Sequence, residues 1–300
     1  MTKLLYLSAL LLICNAVQVF AQTPDALRQK IQQIVAAKKA TVGVAIMGSN
    51  GKDAVYINGE RHCPTQSVFK FHIALALMSH IDKGKFSLEQ KITITEKDLA
   101  PDIYSPIKDK YPKGADLTIA EVLRYMVSES DGLGCDVLLR LLGGPKVVEK
   151  YFAKNGFKDI SIKVNEEVMQ AQWENQFQNW TTPKAANQVL AGFYENRKNL
   201  LSAKSHEFIW NVMKQTVTGA GRLKGQLPTG TVVAHKTGTS GVNKANGVRG
   251  AINDIGIVFL PNGQHFYISI FVTDSKEDSD TNEKIIADIA KAAWDYFVRS

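Results

Sequence analysis

The chain has 300 residues, 45% hydrophobic and 22% charged, with a formal net charge of +7. These values exclude a disordered or collagen-like polymer and allow one large core or two closely packed lobes. The basic residues are scattered, in runs of no more than two. That pattern is a solvated surface and not a nucleic-acid footprint, so no nucleic-acid partner is expected; an anionic small substrate would benefit mildly.

Lys3 precedes a mostly apolar stretch, residues 4–20, and the small residue Ala21 follows it. This reads as a signal peptide, residues 1–21, cleaved after Ala21, which makes the mature protein periplasmic or secreted. Asn15 and Gln18 interrupt the run and argue against a membrane span. Ile13 before Cys14 argues against a lipid-anchored form. No later stretch is apolar enough to cross a bilayer, so no membrane association is expected after cleavage, and the mature chain is expected to be a monomer.

Residues 25–37 space Leu27, Ile31 and Ile34 as a helix does. Residues 41–47 and 54–57 are β-rich and flank the turn Ser49-Asn50-Gly51, a hairpin. From 67 to 216 the pattern is mainly helical, over 68–81, 119–126, 135–142, 183–194 and 205–214. Gly143-Gly144-Pro145 stops the third of these. Residues 165–180 are polar and aromatic with poor periodicity and read as a long surface loop. Strands return at 231–235, 254–260 and 265–272, with Pro261-Asn262-Gly263 as a turn. Residues 282–298 form a closing amphipathic helix. The economical arrangement is an α/β two-lobed (α+β) molecule. Residues 22–60 and 217–300 build a lobe with a five-stranded antiparallel sheet and flanking helices. Residues 61–216 are an inserted all-α lobe that includes the 164–180 loop.

The mature chain keeps Cys63 and Cys135. Export permits a disulfide, but the sequence does not fix the bond state. No Cys/His cluster has zinc-ligand spacing, and His62, His72, His80 and His206 read as surface or core residues.

Three short strings carry chemistry. Ser67-Val68-Phe69-Lys70 puts a hydroxyl and an amine three residues apart, on one helix face. Serine needs such a neighbour to lose its proton, and a helix N-terminus offers N–H groups to developing negative charge. Ser130-Asp131-Gly132 offers a second hydroxyl that can relay a proton to a departing nitrogen; its simpler reading is a helix N-cap. Lys236-Thr237-Gly238 follows the strand at 231–235. There Lys236 suits a carboxylate, Thr237 and Thr239 add hydroxyls, and Gly238 admits a substrate close to the backbone.

In this order and at these intervals, the three strings resemble the S-x-x-K, S-D-x and K-T-G boxes of penicillin-recognising serine enzymes. The resemblance runs from about residue 24 to 298. Val164-Asn165-Glu166-Glu167 stands where class A β-lactamases carry the glutamate that activates water. This string makes Glu166 the expected base, with Glu167 and Glu174 as alternatives. The strings Gln66-Ser67-Val68-Phe69-Lys70, Cys135-Asp136-Val137-Leu138 and Gln178-Asn179-Trp180-Thr181, with residues 232–241, look most similar to the PER/VEB-type extended-spectrum branch.

The resemblance implies a serine β-lactamase/penicillin-binding-protein transpeptidase-like fold, a Ser67 acyl-enzyme and a β-lactam substrate. It implies no metal and no organic cofactor. Lys70 and Glu166 are both candidates for the acylation base, and Ser130 protonates the lactam nitrogen. The N–H groups of Ser67 and Thr239 form the oxyanion hole. Arg222 supports Lys236 and the substrate carboxylate, and Tyr104 gates the cleft. The alternatives are a D-Ala-D-Ala peptidase and a weakly catalytic β-lactam-binding sensor. Four positions depart from the class A pattern. Gly132 and Gln170 replace asparagines, and Val164 and Asn179 replace an Arg–Asp pair. Gly132 reads as a missing amide donor, so Gly132→Asn is expected to raise kcat/KM on acylamino substrates.

Overall fold

The computed structural model describes residues 23–299; the expected signal peptide lies outside them. The Thr23 hydroxyl accepts the Ala26 N–H and so caps helix α1 (Pro24–Val35). Pro24 opens that helix where no N–H is needed. Strands β1 (Thr41–Gly48) and β2 (Ala54–Ile57) form the expected hairpin, with Val44 opposite Ile57. Strands β3 (Val233–Thr239), β4 (Arg249–Phe259) and β5 (His265–Ser275) come from the other end of the chain. The sheet order is β2-β1-β5-β4-β3, antiparallel throughout, so the expected five-stranded sheet is present. β3 is an edge strand. It runs four residues past the expected end at 235, because its ladder with β4 continues from Lys236↔Ile255 to Thr239↔Ile252. The K-T-G string is therefore inside the strand and not after it.

The helical part contains α2 (Phe69–Asp82), α3 (Ile119–Ser128), α4 (Gly132–Leu142), α5 (Pro145–Lys154), α6 (Glu166–Ala171), α7 (Pro183–Glu195) and α8 (Ala203–Lys214). Eleven consecutive residues of α2, Phe69 to Ser79, are buried. A helix apolar on all sides belongs in a core, and α2 runs through the centre of this one, against α3, α4, α5 and α8. Helix α9 (Ser279–Arg299) covers the opposite sheet face together with α1. Period-two alternation divides the strands between two cores. Ile255, Ile257, Tyr267 and Phe271 face the helical part with Phe71, Phe152, Phe193 and Trp210. Val258, Phe266 and Ile268 face α1 and α9 with Ile31, Ile286, Ile289 and Phe297.

Three further features differ from the sequence expectation. The inserted lobe is not all-α, since strands Lys91–Ile94 and Ala115–Thr118 pair antiparallel. Gly143 and Gly144 adopt positive φ and Pro145 starts α5, so the stop signal is also a start. Residues 166–178 are not irregular. They form α6 and a 3-10 turn (Trp173–Gln178), closed by small pairings of Cys63–Pro64 and Ile160–Ser161 with Trp180–Thr181. Cys63 and Cys135 are free, buried thiols. Burial pushes the Cys63 thiol up to about 12 and raises Cys135 well above the usual thiol range.

Candidate active site

Ser67 lies in the 3-10 turn Gln66–Val68 that leads into α2. Gln66 has φ +46°, a conformation that costs a non-glycine residue on the order of 1–3 kcal/mol. Its surroundings enforce it. The buried Gln66 Nε2 donates to Gln176 Oε1 at 2.7 Å, and Thr65 N–H donates to Asn179 O at 2.9 Å. Asn253 Nδ2 from β4 donates to Pro64 O at 2.9 Å and Thr65 O at 3.2 Å. A Cβ on Gly238 would meet Thr65 O at 2.5 Å and Ser67 N at 3.3 Å. The close approach that Gly238 permits is thus first of all to the chain itself, and it presses the end of β3 against the Ser67 turn.

Lys70 shares a helix face with Ser67, as its spacing requires. Its Nζ donates to Ser67 Oγ at 2.9 Å and Ser130 O at 2.8 Å, and lies 3.1 Å from Glu166 Oε2. Burial is the largest influence and disfavours its charge, but the Glu166 carboxylate, together with Cys135 and Asp131, raises its pKa above the ordinary lysine value. Ser130 has φ +63° and follows α3. Its Oγ accepts from Lys236 Nζ at 2.9 Å, and Lys236 also donates to Thr237 O at 3.0 Å. Burial and then the neighbouring Lys70 charge push Lys236 well below the ordinary value. The two lysines flank one serine, and their proton affinities are driven apart.

Glu166 is the first residue of α6 and is buried. Asn165 caps that helix through Val168 N–H at 3.1 Å. Asp136 of α4 accepts Glu166 N–H at 2.7 Å, Glu167 N–H at 2.9 Å and Asn165 Nδ2 at 2.9 Å. Burial raises the Asp136 pKa to about 6, and the donated N–H groups offset this only in part. Gln170 Nε2 donates to Glu166 Oε1 at 3.0 Å. Glu167 and Glu174 are exposed and do not line the cleft. No ion pair closes the loop at Val164 and Asn179. Asn179 closes it as a neutral amide: Oδ1 accepts Lys163 N–H and Val164 N–H, and Nδ2 donates to Val164 O.

Arg222, expected to support Lys236, makes no direct hydrogen bond to it. It holds the end of the sheet instead. Nη1 donates to Gly238 O at 3.1 Å and Asn253 O at 3.0 Å, Nη2 to Thr239 Oγ1 at 2.7 Å, and Nε to Glu283 Oε1 of α9 at 3.0 Å. The cleft has a volume of about 410 Å³. Ser67, Lys70, Tyr104, Ser130, Glu166, Gln170, Arg222, Thr237, Gly238 and Thr239 line it, and Tyr104 stands 65% exposed at its mouth. Lys236 lies beneath the surface and Gly132 behind Glu166. Asp102, Ile103 and Thr218 also line the cleft, and no motif pointed to them. Asp131 is the N-cap of α4, accepting Gly134 N–H at 2.6 Å, and it also accepts Ser105 Oγ and Ile107 N–H. A Cβ at Gly132 would lie 2.9 Å from Tyr104 O, so a side chain there needs its neighbours to shift.

The model of the "Beta-lactamase enzyme family" matches residues 26–297. The chain is 56% identical over 278 residues to β-lactamase VEB-1 of Pseudomonas aeruginosa, covering 93% of this chain and 92% of that one. It is 40% identical over 292 residues to the extended-spectrum β-lactamase PER-1 of the same organism, covering 96% and 93%. The crystal structure of TLA-3 extended-spectrum β-lactamase superposes with a TM-score of 0.89 at 48% identity, covering 92% of this chain and 99% of that one.

Proposed function

The chain belongs to the β-lactamase enzyme family, in its class A serine branch, and from that premise we propose how its side chains open a β-lactam ring. It is a serine β-lactamase and its hydrolysis of β-lactams confers antibiotic resistance. The substrates are penicillins and cephalosporins, including the extended-spectrum compounds implied by the name of PER-1. The mature enzyme is an exported, periplasmic monomer.

The position of Lys70 Nζ carries the mechanism: one amine contacts Ser67 Oγ, Ser130 O and Glu166 Oε2. At rest Lys70 is an ammonium paired with Glu166. As Ser67 Oγ attacks the lactam carbonyl, Lys70 passes a proton to Glu166 and takes the one Ser67 releases. The carbonyl oxygen becomes an anion facing the N–H groups of Ser67 and Thr239. The C–N bond then breaks, and Ser130 gives its proton to the lactam nitrogen. Lys236, with its weakened hold on a proton, re-protonates Ser130; Glu166 then gives up the proton it took, by way of Lys70 and water, and Lys236 regains one, so that both stand as at rest before the second half. Arg222, Thr237 and Thr239 receive the substrate carboxylate. In the second half Glu166, steadied by Gln170, takes a proton from water as it attacks the ester. The buried Glu166 favours this reading over a peptidase or a sensor, which would stop at the acyl-enzyme.

Steady-state hydrolysis of a chromogenic cephalosporin by the purified mature protein tests the proposal. Sustained turnover that disappears in Ser67→Ala is expected. A single stoichiometric burst from the wild type would identify a binding protein or peptidase instead.

A further inference from the structure

Gly132 opens α4 two residues after Ser130, and its φ lies outside the left-handed region. Its backbone therefore does not require glycine; its surroundings do. An ideal Cβ would lie 2.9 Å from Tyr104 O, 3.1 Å from Glu166 Cγ and 3.3 Å from Ile103 Cδ1. Tyr104 O is a backbone atom and is held in place. It accepts Gly132 N–H at 2.9 Å, and the next residue, Ser105, donates its hydroxyl to the buried Asp131 at 2.8 Å. Glu166 is fixed as firmly. Asp136 holds its N–H at 2.7 Å, Gln170 holds Oε1 at 3.0 Å, and Lys70 faces Oε2 at 3.1 Å. Two restrained neighbours thus converge on the volume that a side chain at 132 would need.

We propose that Gly132 is a positioning residue that sets where Glu166 stands relative to Ser67, and that it governs deacylation above all. This rests on the β-lactamase reading. Gly132 does not line the cleft and offers substrate no side chain. A methyl group here pushes on the Glu166 stem or on residues 103–104. A displaced carboxylate meets the hydrolytic water in poor geometry, and misplacement by about an ångström can cost on the order of 10²-fold in rate. The acylating contacts of Lys70 with Ser67 and Ser130 are not among the atoms the methyl meets first. An asparagine brings the same Cβ and a larger group behind it. Its amide cannot offer a contact to substrate until the 103–104 backbone or Glu166 has given way.

The test compares wild type, Gly132→Ala, Gly132→Asn and Gly134→Ala. Gly134 lies in the same helical turn, and the three atoms nearest to a Cβ there, Ile107 Cδ1, Val122 Cγ1 and Asp131 Oδ1, all belong to side chains. Stopped-flow bursts and intact-protein mass after mixing with a cephalosporin separate the two half-reactions. In both Gly132 variants the burst rate should stay within about threefold of wild type, while steady-state kcat falls about tenfold or more and covalent adduct accumulates. Gly134→Ala should show no adduct. Unchanged kcat in Gly132→Ala, or an equal fall of both half-reactions in the Gly132 and Gly134 variants, overturns the proposal. Thermal melts cover the case of poor folding: Gly132→Ala should cost less Tm in a Glu166→Ala background, and an equal loss in both backgrounds also overturns it. A wild type without turnover would defeat the parent reading; variants like an active wild type defeat this inference alone.

Discussion

Lys70 keeps its proton in large part because the Glu166 carboxylate stands 3.1 Å away, and that dependence is measurable. Glu166→Gln removes the charge and keeps the shape. Burial then acts on Lys70 with less opposition, and the amine should titrate below its wild-type value. Deacylation should fall about 10²–10⁴-fold, the usual worth of a general base, while the acyl-enzyme still forms. Mass spectrometry of the adduct and NMR titration of a labelled lysine check both halves; a turnover close to wild type would move the base elsewhere. His72 supplies a second titration. It is buried in α2 beside Phe152, and burial lowers its pKa to about 4. The unfolded chain takes up that proton near 6.5, so between about 6.5 and 4 the folded state binds fewer protons. Stability from this group is complete above about 6.5 and is lost as pH falls towards 4. His72→Leu should therefore gain Tm relative to wild type between pH 7 and pH 4.5; parallel curves would remove His72 from the acid response. Ser67 and Lys70 were legible from sequence because one helical turn joins them. Gln66 with Gln176, and Asn253 with Pro64 and Thr65, were not, since no local pattern marks partners more than a hundred residues apart.

Helix α6 is six residues long and buries only Glu166 and Met169, so propensity alone does not hold it. The single carboxylate of Asp136, with three donors on its two oxygens, anchors its first turn. That carboxyl titrates at about 6. Below that pH a protonated oxygen faces an N–H, the anchor loosens, and Glu166 is less well placed. kcat should therefore decline as pH falls through about 6 whenever deacylation limits turnover. Asp136→Asn should remove that titration, leaving a lower kcat that is flatter on the acid side; an unchanged acid limb would assign it to another group. Sequence periodicity found the long elements and missed this one. Its turns are shorter than a periodicity window, and side-chain anchors replace an apolar stripe. The overshoot of β3 has a related origin: Lys236 to Thr239 lack an apolar alternation because an edge strand beside a cleft needs none. Its ladder to β4 does not depend on side-chain type.

The two ends of the chain are woven into one sheet, with β1 seated between β2 and β5. The separated β-rich segments and the helical run between them made this plan legible, while the order of strands depends on long-range pairing that no segment encodes alone. Such interleaving ties both cores to one sheet, so neither should melt without the other. The buried thiols make that testable. Cys135 lies in α4, and Cys63 lies against β1, where a Cβ on Gly43 would stand 3.3 Å from its sulfur. Neither ionises readily nor meets solvent, so neither reacts while the protein is folded. A thiol-blocking reagent in rising urea should label both at one midpoint; earlier labelling of Cys135 would show the helical part opening first. Melting should also be indifferent to reductant. The molecule carries its own two unfolding clocks, one at the sheet and one among the helices, and its endurance would owe nothing to the forming of a disulfide.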